Sequence, residues 1–167
     1  MNDTKFEELK EKIPEIFEKV IRDVLKITGR ERSGLSLGLV EMGLYQGAFI
    51  GGMHFSPGTD IVMNKTPLKI LLAQEPYETV WAYIYHVLLD LYLQTLSVLN
   101  EQQRRELILR ITEEVFEEDH PAVILARNGI ESFFPNLHFI YALPDLQSDG
   151  ISIEYIPIDQ ESYEHYS

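Results

Sequence analysis

Four polar side chains lie one helical turn apart in a mostly apolar stretch: Tyr83, His86, Asp90 and Gln94, within VWAYIYHVLLDLYLQTLSVL at 80–99. With His86 at zero and about 100° per residue, Ser97 falls at about 20°, Asp90 at about 40°, Tyr83 at about 60° and Gln94 at about 80°. A single polar stripe therefore runs down a helix that must bury most of its girth. His86 and Asp90 at (i, i+4) share one face, the spacing at which two side chains can hold one ion. His120, beside Asp119, is the natural third ligand from another element, and a His86/Asp90/His120 set suits zinc, iron or manganese. The plain alternative is a hydrogen bond from His86 to Asp90, with His120 placed at a helix start.

Other chemistries find no motif. The chain lacks GxGxxG, Walker A, GxSxG and HExxH patterns. With no cysteine it has neither disulfides nor thiolate ligands nor a cysteine nucleophile. His54 reads as a sheet residue, and His138 and His165 have no partner pattern. Against 14 Lys and Arg stand 27 Asp and Glu, a net charge of −13. The densest basic clusters, Arg30-Glu31-Arg32 and Arg104-Arg105, are short, so a nucleic-acid partner is not expected.

The elements that position the stripe follow from periodicity. Residues 3–28 form an amphipathic helix through Phe6, Leu9, Ile13, Ile16, Phe17, Val20, Val24 and Ile27, with Pro14 able to kink or divide it. The period then changes from 3.6 to 2, giving strands at 34–41, 44–55 and 60–64. The second is rich in glycine, which marks a bulge or a close backbone approach, and the third is its hairpin partner across Ser56-Pro57-Gly58-Thr59. Thr66-Pro67 caps and opens a helix to Ala73, and Glu75-Pro76 repeats the device before the central helix. Tyr77, Tyr85 and Tyr92 project opposite the stripe, into the core. Asn100 ends the central helix and caps the next, 101–117, with Gln103 as capping-box partner. Asp119 caps a helix from Pro121 to Asn128, closed by Gly129. Two late strands, 138–143 and 151–158, precede an acidic tail at 159–167. The expected fold is α+β: an N-terminal helix, a small mainly antiparallel sheet, and a helical half around a long buried central helix, forming one domain over 1–158.

The central stretch has the length of a membrane span, but Asp90 near its middle costs about 2.5–3.5 kcal/mol on the insertion scale, so no membrane partner is expected. The charged start, MNDTKFEELKEK, has no apolar run of a secretory signal, and a cytoplasmic location is expected.

The order of elements resembles a minimal zincin-like metalloprotease domain: a helix, a small sheet ending in Ile61-Val62-Met63-Asn64, then a long central helix with ligand-type residues at (i, i+4). In that family the central helix carries HExxH, two zinc ligands and a general base. The matching segment here is Asp90-Leu91-Tyr92-Leu93-Gln94. Asp90 and Gln94 stand where the histidines would be, and Leu91 replaces the glutamate. Leucine takes no proton from water and glutamine is a weak zinc ligand, so the resemblance implies a copy without the catalytic set, with no cofactor. It also implies a peptide or protein partner, bound by strand addition in a groove lined by strand 44–55 and by Tyr83, His86, Asp90 and Gln94. Two rivals stay open at this point. One is a metal-dependent hydrolase using His86, Asp90 and His120 with zinc, and the other is a structural or homo-oligomerising protein whose stripe is solvated.

Overall fold

Apolar residues at three- and four-residue spacing produce α1 (Asn2–Thr28), and its face from Phe6 to Val24 is buried. Pro14 lies inside this helix without ending it. The computed structural model describes residues 2–44, 46–55, 58–96, 99–140 and 152–158, the side chains of residues 2, 3, 132 and 140 excepted.

After α1 come β1 (Ser36–Val40), β2 (Phe49–Ile50), β3 (Gly52–His54) and β4 (Asp60–Asn64). Four helices follow: α2 (Lys65–Gln74), α3 (Tyr77–Leu96), α4 (Glu101–Val115) and α5 (Pro121–Asn128). Then come the short α6 (Ile130–Phe133), β5 (Phe139–Ile140) and β6 (Glu154–Ile156). The fold is α+β, with a mixed four-stranded sheet in the order β3-β4-β1-β6. Its outer ladders are antiparallel, and the central ladder, β1 with β4, is parallel from Ser36↔Asp60 to Val40↔Asn64. No described helix is long and apolar enough to cross a membrane.

The glycine-rich segment 44–55 does not form one strand. It divides at Gly51: β2 pairs in parallel with β5 as a separate two-stranded sheet, and β3 forms the expected hairpin with β4. The glycines have the anticipated reason. A Cβ on Gly52 would collide with the Val62 carbonyl oxygen, and one on Gly51 would lie 3.1 Å from Val87 and 3.3 Å from the Tyr83 hydroxyl. The strand can thus run close over α3.

Two caps are one or two residues away from the expected ones. Asn64, not Thr66, caps α2: its Oδ1 accepts from Thr66 N at 3.0 Å and from Met42 N at 2.9 Å. Its amide donates to the Ile50 and Gly43 carbonyls. The Thr66 hydroxyl is engaged elsewhere, accepting from Gly43 N and donating to Glu41. At α5 the cap is His120 rather than Asp119, with Nδ1 accepting from Ala122 N at 3.0 Å. The Asn100–Gln103 capping box forms as expected.

α3 is the core element. Tyr85 and Tyr92 are fully buried on it, whereas Tyr77, in its first turn, is half exposed rather than in the core. Tyr92 meets Phe17 of α1 edge to face at 5.9 Å, and the Tyr85 hydroxyl donates to the buried Asp23 carboxylate at 2.6 Å. At the far edge of the sheet, Glu154 of β6 is held by Lys10 at 2.6 Å and Lys65 at 2.8 Å. Ser97, residues 141–143 and 151 of the two late strands, and the 159–167 tail fall outside the described residues.

Candidate functional site

Three parts of the chain meet around the polar stripe: α3 supplies His86, Val87, Asp90 and Leu91, α4 crosses beside it, and the Ile50-Gly51-Gly52 backbone passes over it. Between them and the α5–α6 corner lies a cavity of about 370 Å³. Its apolar surface comes from Ile50, Val87, Leu91, Ile108, Leu109, Ile130 and Phe139, and its charged residues are Asp90, Glu101, Arg104, Arg105, Glu106 and Arg127. A volume and lining of this kind fit a small ligand or one or two side chains of a partner.

Of the four stripe residues, the structure brings His86 and Asp90 into this cavity and leaves Tyr83 and Gln94 out of its lining. Tyr83 is buried among Phe134 and Phe139, with ring centroids at 6.0 and 5.8 Å. Its hydroxyl has no hydrogen-bond partner among the described residues, and burial raises its pKa. Gln94 donates to Asp90 at 3.2 Å.

Asp90 is not bonded to His86. Its carboxylate accepts from Arg104 Nε at 3.0 Å as well as from Gln94, so the expected His86–Asp90 hydrogen bond gives way to a charge-assisted one from α4. Arg104 also donates to the Leu99 carbonyl at 3.2 Å.

His86 is in an unusual state as a result. Burial lowers its pKa to about 4; Asp90 opposes that shift and the Arg105 charge adds to it. The ring is neutral at pH 7. Its Nδ1 is sealed from solvent and has no partner among the described residues. A proton there would leave a buried donor unpaired, so the favoured tautomer carries it on Nε2. His86 thereby offers the cavity a neutral N–H donor.

His120 does not join His86 and Asp90 around the cavity. Besides capping α5, its ring stacks on Phe116 at 4.1 Å and meets Trp81 edge-on at 5.9 Å. Burial, then the charge of Lys19, lowers its pKa. Among the described residues no three His, Asp or Glu side chains converge as a metal ion would require. His54, as expected, is engaged within the sheet hairpin, its Nε2 bonded to the Gly58 carbonyl at 2.8 Å.

The site residues that sequence reasoning missed are the arginines of α4 and α5. Arg104 and Arg105 stood out only as a short basic cluster. Yet Arg104 precedes the buried Ile108 by one turn and Arg105 precedes Leu109 likewise, which puts both pairs at the spacing of shared helix faces.

Compared with family models, with curated proteins and with solved structures, the chain finds no match.

Proposed function

We propose that this is a non-catalytic binding protein of zincin-like plan, which takes an extended segment of a peptide or protein partner beside its central helix. The observation that carries the reading is the cavity itself: His86 and Asp90 face it together with Gly51 and Gly52 at the start of β3. β3 is an edge strand, paired with β4 on one side and with nothing on the other among the described residues. A partner strand added there would run next to the cavity and could place a side chain in it.

The positions that would do zincin chemistry are otherwise occupied. Asp90 is bound by Arg104 and Gln94, and Leu91, in the place of the general base, is buried against the apolar lining. Both facts support binding without hydrolysis.

The test is a peptide array probed with the full chain and with Ala126→Trp, which fills the cavity from the α5 side. Peptides retained by the native chain and lost, by about tenfold or more in affinity, on filling support the reading. Retention that ignores the filled cavity, or no retained peptide at all, overturns it.

A further inference from the structure

The first turn of α5 is closed by a single titratable ring. Pro121 has no amide hydrogen to satisfy, and the amides of Val123 and Ile124 donate to the His120 carbonyl at 3.0 and 3.1 Å. That leaves the Ala122 amide, which donates to His120 Nδ1 at 3.0 Å. Ala122 is buried, so losing this acceptor strands a donor inside the fold.

Only a neutral imidazole with its proton on Nε2 can accept at Nδ1. The imidazolium carries a hydrogen on both nitrogens and accepts at neither, so turning the ring over does not restore the bond. Stacking on Phe116 at 4.1 Å, with Trp81 edge-on at 5.9 Å, also fixes the plane of the ring. At Nδ1 a proton and the α5 backbone therefore compete for one lone pair.

The surroundings bias that competition. From α1, the Lys19 ammonium lies over the same Phe116 ring, 4.8 Å from its centroid, and is paired with Asp23 at 3.0 Å. An imidazolium would be a second cation beside it. From α3 comes the uncharged Trp81, and in the connection before α5 Glu117 and Glu118 are exposed. Burial, then Lys19, lowers the His120 pKa from 6.5, while Asp119 opposes them. The cap therefore holds at neutral pH and gives way only in acid.

What hangs on this cap is one wall of the cavity. Val123 and Leu125 are buried along with Ala122, and the last turn of α5 brings Ala126, Arg127 and Asn128 to the cavity. Arg127 ties that turn to Glu113 of α4 at 2.9 Å.

We propose that His120 is a proton-operated cap: neutral, it closes the first turn of α5, and with a proton on Nδ1 it releases the Ala122 amide and that turn opens. The device does not depend on what the cavity binds.

The experiment is an NMR titration of the full, isotope-labelled chain from about pH 7.5 to about 4.5. The His120 ring and the Ala122 amide should move with one common midpoint below 6.5. Deuterium exchange at the Ala122 amide, corrected for its intrinsic pH dependence, should rise about fivefold or more across that midpoint. His120→Asn keeps a side-chain acceptor that does not titrate, and should hold the Ala122 protection constant over the range. His120→Ala should show the raised exchange already at neutral pH. An Ala122 amide that does not follow the ring, or a ring that stays neutral throughout, overturns the proposal. So does a His120→Asn chain that loses protection in acid as the native chain does. Should circular dichroism show that the variants do not fold, the titration of the native chain decides by itself.

Discussion

Arg104 of α4 reaches across to Asp90 of α3 at 3.0 Å, and the two side chains are only 16% and 23% exposed. This bond fixes one wall of the cavity, and it is the reason Asp90 serves neither His86 nor a metal. Removing the cation in Arg104→Met leaves a largely buried carboxylate short of a partner and should cost about 1–3 kcal/mol in urea denaturation. Asp90→Asn keeps an acceptor for Arg104 and should cost less, about 1 kcal/mol. Equal losses from the two would show that Asp90 does not depend on the arginine.

The unpartnered Nδ1 of His86 predicts a cost to stability. His86→Leu replaces a sealed, unpaired nitrogen by an apolar group of similar size and should leave stability unchanged or raise it. The pH profile gives the second check. The folded-state pKa is lowered from 6.5 to about 4, so between these values the unfolded chain binds the proton more readily. Stability therefore falls as pH drops from about 6.5 to 4. His86→Leu should flatten that part of the profile in thermal denaturation, and NMR should find the His86 ring titrating near the lower value.

Glu154 predicts an acid-side effect in a lower window. Its bonds from Lys10 and then Lys65 hold its carboxyl down to about 2 against an ordinary 4.5. A depressed carboxylate contributes stability that is complete above the unfolded value and is lost as pH falls from about 4.5 to 2. Because Glu154 is substantially exposed, the effect is modest and should shrink with added salt. Comparing melting temperatures of Glu154→Gln and the native chain across that window checks it: the two curves should converge toward pH 2 and separate above 4.5.

Asn64 is the most demanding polar position of the fold. Fully buried, it joins the end of β4, the start of α2, the Met42–Gly43 turn and β2 through four side-chain hydrogen bonds. Asn64→Ala should cost about 3 kcal/mol or more in chemical denaturation, since several buried backbone groups lose partners together. A loss below about 1 kcal/mol would mean that the surrounding turns satisfy themselves without it.

What could be read in the sequence was what depends on near neighbours. The apolar spacing of α1, the Asn100–Gln103 box and the polar stripe of α3 are set within one or two turns of chain, and each formed. The misplaced caps show the limit of local reading: Asn64 outcompetes Thr66 because Met42 and Ile50, distant in sequence, also use its side chain. The parallel β1–β4 ladder and the division of 44–55 at Gly51 depend on which strands meet, and alternation alone does not encode that. At the candidate site the sequence yielded the stripe but not its partners. Arg104 and Arg105 look solvated until α4 is laid against α3, and the cavity exists only once that packing is made.

The division at Gly51 has one more consequence. It leaves β3 three residues long, a run of about 10 Å at roughly 3.3 Å per residue whose outer side has no strand partner among the described residues. An edge this short templates few backbone bonds, and between copies of a chain carrying −13 it also works against strong mutual repulsion. An edge of this length on a chain of this charge is therefore a poor seed for fibrils of the protein itself.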